Sequence, residues 1–301
     1  MLFASDLQSA EPADGSADTR TVASDEARPR VAATLKPVLL APTSVEPFAQ
    51  DAPSLTETEA PGEGGPDISD PGPDTADLPD SAFAVPPGVT YFETSLSYIS
   101  SKGPRVRDYF TSTLIRTGLW EDFELRIATP GVIHQHAPGE STTGFGPLTI
   151  GFKQHIWAEV EECSIPAFGI IAQVTAPTAS AGFDDGTAIP TVFFNFDYSL
   201  PCDSYFEVNF GISGLHADDG DRFVQGSFLW SLGKEWSDNF TTFFHGFFNA
   251  PSGTGDDEEL LMGPGMIWFV SKTVAIDSSY NFGMTDDTDH RFIRIGLSVA
   301  F

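Results

Sequence analysis

Basic residues are scarce in this chain: 15 Lys plus Arg stand against 43 Asp plus Glu, for a formal net charge of −28. A surface built to neutralise nucleic-acid phosphates is thereby excluded, so no nucleic-acid partner is expected. Cysteine is nearly absent, with only Cys163 and Cys202, which rules out a disulfide scaffold and leaves room for one bridge. No run of about eighteen apolar residues occurs, so a transmembrane helix is excluded. The opening residues, Met-Leu-Phe-Ala-Ser-Asp, show neither a basic nor an apolar leader segment. For an exported chain the expectation is then a leader already cleaved, or a start placed too far downstream. Charged residues make up only 19%, below the roughly 25% of soluble domains. Phe, in contrast, is abundant at 26 residues and aromatics reach 12%. That mixture suits a sheet with a large apolar surface.

Two regions differ in character. Residues 1–88 are rich in Pro, Ala, Asp, Glu, Ser and Thr, as in Glu59-Ala60-Pro61-Gly62-Glu63-Gly64-Gly65-Pro66. Such a stretch cannot bury enough apolar surface to offset chain entropy. It reads as a disordered acidic tail, with Val31 to Leu40 the one place where a local element is expected. From residue 89 to 301 the pattern is alternation of period two, broken by Gly, Pro, Asp and Ser turns. Twelve strands are expected, at 91–99, 108–118, 122–132, 146–157, 165–176, 189–200, 203–215, 221–233, 236–249, 257–270, 272–283 and 290–301. Their length suits tilted strands crossing a bilayer. Connections after odd strands are the longer, polar ones, such as 131–145 and 177–188; those after most even strands are tight, such as Trp120-Glu121, Pro201-Cys202 and Gly233-Lys234-Glu235. An even strand count with long loops on one side and short turns on the other defines an all-β, antiparallel up-and-down transmembrane barrel.

The faces carry the next inference. In the last strand Ile293, Ile295, Leu297, Val299 and Phe301 alternate with smaller or polar residues. Such a closing strand resembles the recognition signal read by the barrel-assembly machinery. Trp120, Trp157, Trp230, Trp236 and Trp268 are read as falling near the short turns, where an aromatic girdle would mark one membrane–water interface. By parity Glu93, Arg116, Arg126, Lys153, Asp277 and Arg294 point inward. Counting from a tight turn at Trp120, Arg116 is expected opposite Glu124, a pairing worth about 0.2–1 kcal/mol. Around the Pro201 turn, Asp197 is expected to face Glu207, a like-charge pair needing a cation nearby. This network is read either as a constriction that selects solutes or as structural ion pairing that fills a narrow lumen.

A lipid hydrolase would need a Ser and a His within hydrogen-bond reach. His155 and His245, the strand-interior histidines, have no Ser motif at a recognisable spacing, so no enzyme is expected. No cofactor or metal set is legible. Cys163 and Cys202 are placed at alternate turns, about 10 Å apart, beyond the reach of a bridge, so no disulfide is expected.

The segments TLIRTGLWEDFELRIATPGVI at 113–133, GFGPLTIGFKQHIW at 144–157 and IPAFGIIAQVTAPTAS at 165–180 closely resemble the outer-membrane barrel family labelled for the MetA pathway of phenol degradation. The resemblance spans about residues 90–301. It covers Arg116, Gly118, Leu119, Glu124, Leu125, Arg126 and the inward Lys153, and departs at Gly146-Pro147 and Ala179, both at loop edges. It implies a passive outer-membrane channel or transporter for small solutes, hydrophobic or aromatic ones among them. The alternative is a closed structural or envelope-anchoring barrel. The expected surroundings are outer-membrane lipid of a Gram-negative-type cell, with the tail in the periplasm. Oligomeric state is not legible.

Overall fold

The computed structural model describes residues 65–101, 106–161, 164–183, 186–216, 222–251, 258–285, 288 and 290–301. The expected tail up to residue 64 and its Val31–Leu40 element lie outside the described residues, as does Cys163. In chain order the strands are β1 Thr90–Ser100, β2 Arg107–Trp120, β3 Phe123–Thr129, β4 Val132–Ala137, β5 Glu140–Phe145, β6 Leu148–Trp157 and β7 Ala167–Ala176. They continue with β8 Ile189–Leu200, β9 Ser204–His216, β10 Arg222–Ser237, β11 Phe240–Asn249, β12 Glu259–Ser271, β13 Val274–Gly283 and β14 Arg291–Ala300.

These strands form one antiparallel sheet that closes on itself. Tyr91 to Ser100 of β1 pair with Ala300 to Arg291 of β14 on one side and with β2 on the other. Closure joins the first and last strands of the wall, which is the condition for a sheet to sit in lipid. β3 and β4 both pair with β2, as Thr113↔Thr129 and Phe110↔Ile133. They are one wall strand interrupted at Pro130-Gly131, where Pro lacks an N–H for the ladder and Gly131 takes φ of 63°. β5 and β6 are likewise broken at Gly146-Pro147 and pair with β4 and β3 in turn. The wall therefore has twelve strands. The stretch 131–145, expected as a long polar loop, is instead a hairpin that prolongs the wall.

Turns at one rim are tight: Glu121-Asp122, Pro201 to Asp203, Asp238-Asn239 and Lys272-Thr273. Left-handed backbone at Asp122, Cys202 and Asp203 makes two of these reversals. The expected turn at Gly233 to Glu235 moves to Asp238-Asn239, because the in–out alternation of β10 persists through exposed Leu232, buried Gly233 and exposed Trp236.

Parity puts Phe92, Leu96, Ile150, Phe152, Phe210, Ile212, Phe244, Ile276, Ile295 and Leu297 on the outer surface, all exposed. The same strands bury Glu93, Ser95, Arg116, Glu124, Lys153, Asn195, Asn209, His245, Asp277 and Ser298 inside. An apolar exterior around a polar interior is the reverse of a soluble barrel and matches lipid as the outer solvent.

Candidate functional site: a plugged lumen

Residues 65–88 were read above as part of a free tail; in the structure they lie inside the barrel. The segment enters at the short-turn rim, where the Ile68 N–H donates to the Lys272 carbonyl over 2.6 Å. The Tyr91 hydroxyl also donates to the Asp67 carbonyl there. It leaves at the same rim, where the Gly88 N–H donates to the Gly118 carbonyl and the Gly118 N–H to the Val89 carbonyl. Between these points it penetrates the lumen and turns back.

The physical reason this Pro- and Asp-rich stretch is ordered lies in its backbone. Its N–H groups, which no sheet satisfies, donate to wall side chains. Thr75 donates to Glu93 (2.8 Å), Leu78 to His245 Nδ1 (3.1 Å), Asp80 to Asn209 (2.6 Å), Ala82 to Asp197 (2.8 Å) and Val85 to Glu124 (2.7 Å). Inward glycines give the backbone room. A Cβ on Gly118 would run into the Val85 and Pro86 carbonyls, and one on Gly169 into that of Ala82. Ile68, Ala76 and Val85 pack with Tyr91, Phe243 and Ile267, while Leu78 meets Ile171, Phe193, Leu229 and Leu261.

The side chains of the plug lock onto the inward charges of β1, β2, β3 and β6. Asp74 takes Arg116 at 3.2 Å and Lys153 at 2.5 Å, and also pairs with Arg126. Asp80 takes Arg126 at 2.6 Å. Glu124 bridges Arg116 at 2.9 Å and Arg126 at 2.8 Å, and Glu93 closes on Arg116 at 3.3 Å. Burial alone would push the Asp74 carboxyl up. Arg116, Lys153 and Arg126 outweigh it and hold the group well below the usual carboxylate range.

Arg116 does not stand opposite Glu124. β2 runs on to Trp120 with a bulge after Gly118, so Arg116 faces Arg126 and Gly118 faces Glu124. The two like charges are held together by the carboxylates of Glu124 on the wall and Asp74 on the plug. Asp277 pairs with Arg294 at 3.1 Å, on β13 and β14, which follow β1 on the side away from β2.

A second wall has another character. Asp197 and Glu207 face each other across β8 and β9, and Asp77 of the plug comes up against Glu207 and Ser231. Among the described residues no Lys or Arg forms an ion pair with these three carboxylates, and Asp77 Oδ2, Asp197 Oδ1 and Ser231 Oγ lack a hydrogen-bond partner. All three acids stay half-buried rather than sealed.

Four of the five tryptophans, Trp120, Trp157, Trp236 and Trp268, are exposed at the short-turn end. Trp157 donates to the Pro166 carbonyl and Trp236 to Thr242. Trp230 does not join them. It pairs with Val208 and Gly246 at mid-height, because β10 is longer than the sequence turn implied. Cys202 is free and exposed at the β8–β9 turn. Phe301 exchanges two backbone hydrogen bonds with Thr90 at the closing seam.

A closed twelve-stranded barrel with an apolar exterior and a peptide plug held in a charged lumen is a protein of the outer-membrane barrel class. The chain belongs to the family described as "Putative MetA-pathway of phenol degradation", whose model matches residues 73–301 and so takes in most of the plug. Its fold is shared with an outer membrane channel from Pseudomonas putida F1. That likeness has a TM-score of 0.57 at 12% identity and covers 74% of this chain and 99% of that one. The NanC porin aligns with a TM-score of 0.47 at 10% identity, over 69% of this chain and 98% of that one. No curated protein matches the chain in sequence.

Proposed function

We propose that this protein is a passive outer-membrane channel for small solutes, narrowed by its own N-terminal segment, and not an enzyme. The observation that carries the reading is the split lumen. One wall is sealed to the plug by buried ion pairs, whereas Asp77, Asp197 and Glu207 line a strip where, among the described residues, no Lys or Arg forms an ion pair. A polar strip beside a plug is where water and small solutes can pass, and its charge favours cations. The family label and the channel from Pseudomonas putida F1 agree with this role. Both inner histidines are engaged by the plug, His155 at the Ala82 carbonyl and His245 at the Leu78 N–H, which supports a role without catalysis.

The plug's ion pairs are also the specific observation favouring the alternative, a closed barrel with a structural role. Planar-bilayer recording separates the two. The channel reading expects discrete conductance steps that grow when Arg116 and Arg126 are both changed to Ala, since the plug loses its main anchors. Absence of conductance in both proteins would sink it. On this reading the short turns and tail face the periplasm, Ile295, Leu297, Val299 and Phe301 present the assembly signal, and lipid covers the belt.

A further inference from the structure

The long-loop rim carries an arrangement that the channel does not use. Three strand registers place its outward side chains in rows. Leu96 lies beside Ile295 and Thr111 in the apolar belt. One row further out, Tyr98 lies beside Ile293 and Tyr109, and Tyr109 beside His134. The next row holds Arg291, Ser100, Arg107 and His136 in sequence across β14, β1, β2 and β4. Rows are about 7 Å apart along a strand, and Arg291 and Arg107, two strands apart, about 10 Å.

Each row has its own chemistry. Tyr98 and Tyr109 pack at a tilt with ring centroids 5.1 Å apart. Tyrosine pairs of this kind settle where hydrocarbon gives way to headgroups. Arg107, Arg291, His134 and His136 are exposed, and among the described residues none of them forms an ion pair. His134 and His136 use Nδ1 on Thr143 and Ser141, at 2.7 and 2.8 Å, which ties the rings to β5. The chain holds only 15 Lys and Arg, and three of those in the described residues are consumed by the plug network. Setting two arginines in one row, either side of Ser100, is therefore not a diluted surface average.

We propose that Arg107, Arg291 and His136 form a binding site for the phosphate groups of an outer-leaflet glycolipid, whose acyl chains lie along Leu96 and Ile295 below. Guanidinium groups match phosphate oxygens in a two-pronged geometry. Continuity with the apolar belt selects a lipid-borne phosphate over a free one. The proposal rests on the membrane reading with the long loops outside, but not on solute passage.

The test uses the full chain in detergent, with native mass spectrometry of added lipid A in bisphosphorylated and dephosphorylated forms, and with inorganic phosphate as a third probe. Bisphosphorylated lipid A should bind the wild type about tenfold or more tightly than it binds Arg107→Ala/Arg291→Ala. The Arg107→Lys/Arg291→Lys variant should keep part of the affinity. Inorganic phosphate should bind weakly to all. Changing Lys234 and Lys272, at the other rim, should leave binding intact. Equal affinity for the two lipid A forms, or an unchanged double-Ala variant, would overturn the site. Retained heat-modifiable migration on gels shows that each variant is folded, and lipid binding without conductance would break the channel reading alone.

Discussion

The two lumen walls meet the same plug in opposite ways. Against β1, β2, β3 and β6 the charges that meet the plug are paired: Arg116, Arg126 and Lys153 are matched by Asp74, Asp80, Glu93 and Glu124, nearly all without solvent exposure. Against β8, β9 and β10, Asp77, Asp197 and Glu207 crowd together, and among the described residues none of them forms an ion pair with Lys or Arg. The first wall resembles a lock. Removing one member leaves stranded charge in a dry site, which costs about 3–5 kcal/mol. The second stores repulsion, so removing charge there relieves the plug instead of freeing it. On the channel reading, order and permeability fall to different sides of one small lumen.

The largest effect should come from the lock. Asp74→Ala leaves Arg116, Arg126 and Lys153 short of a shared carboxylate and should release the plug by about 3–5 kcal/mol while the barrel stays folded. Hydrogen exchange at the amides of Thr75, Leu78, Asp80, Ala82 and Val85 reads this directly. Protection unchanged from wild type would remove the lock from the account. A smaller effect, of about 1–3 kcal/mol, is expected from Gly169→Ala, whose new methyl presses on the Ala82 carbonyl. Limited proteolysis near residues 80–86 should quicken, and equal cleavage rates would argue that the plug backbone simply shifts aside.

The smallest change in stability, and the clearest in selectivity, belongs to the acidic wall. Asp197→Asn with Glu207→Gln should leave thermal stability level or higher, yet move the reversal potential in a salt gradient toward zero. A reversal potential equal to wild type would break the contrast between the walls. Acidity tests the same strip. Burial, with Asp74 nearby, lifts the Asp77 carboxyl to about 7. Because this folded value is raised, its charge exists above that pH and is lost below it. Cation preference should therefore weaken as the bath is taken from about pH 8 to about pH 6, and the plug should bind more firmly over the same range.

The barrel was legible in the sequence because a strand writes its two faces into alternate residues, and Ile293 to Phe301 or Val192 to Tyr198 do so without interruption. Which charges point inward was legible for the same reason. Their partners were not. The register of Arg116 was displaced by two residues at the β2–β3 turn, a shift that preserves the face and so leaves no trace in the alternation. The plug was hidden by a sound rule wrongly applied. Low apolar content predicts disorder for a segment that must fold by itself, whereas residues 65–88 borrow hydrogen-bond acceptors from a finished wall. The signals that could have exposed it are the aspartates spaced at 74, 77 and 80 and the glycines at 118 and 169, each on the inner face where a side chain would otherwise fill space.

Both ends of the plug leave through one rim, at Lys272 and at Gly118. In topological terms the segment is a tucked loop and not a thread. It can slide in after the β1–β14 seam has zipped, and slide out again without any strand of the wall parting from its neighbour. Clearing the lumen is therefore a matter of exchanging polar contacts for water, and the barrel that surrounds it need not open.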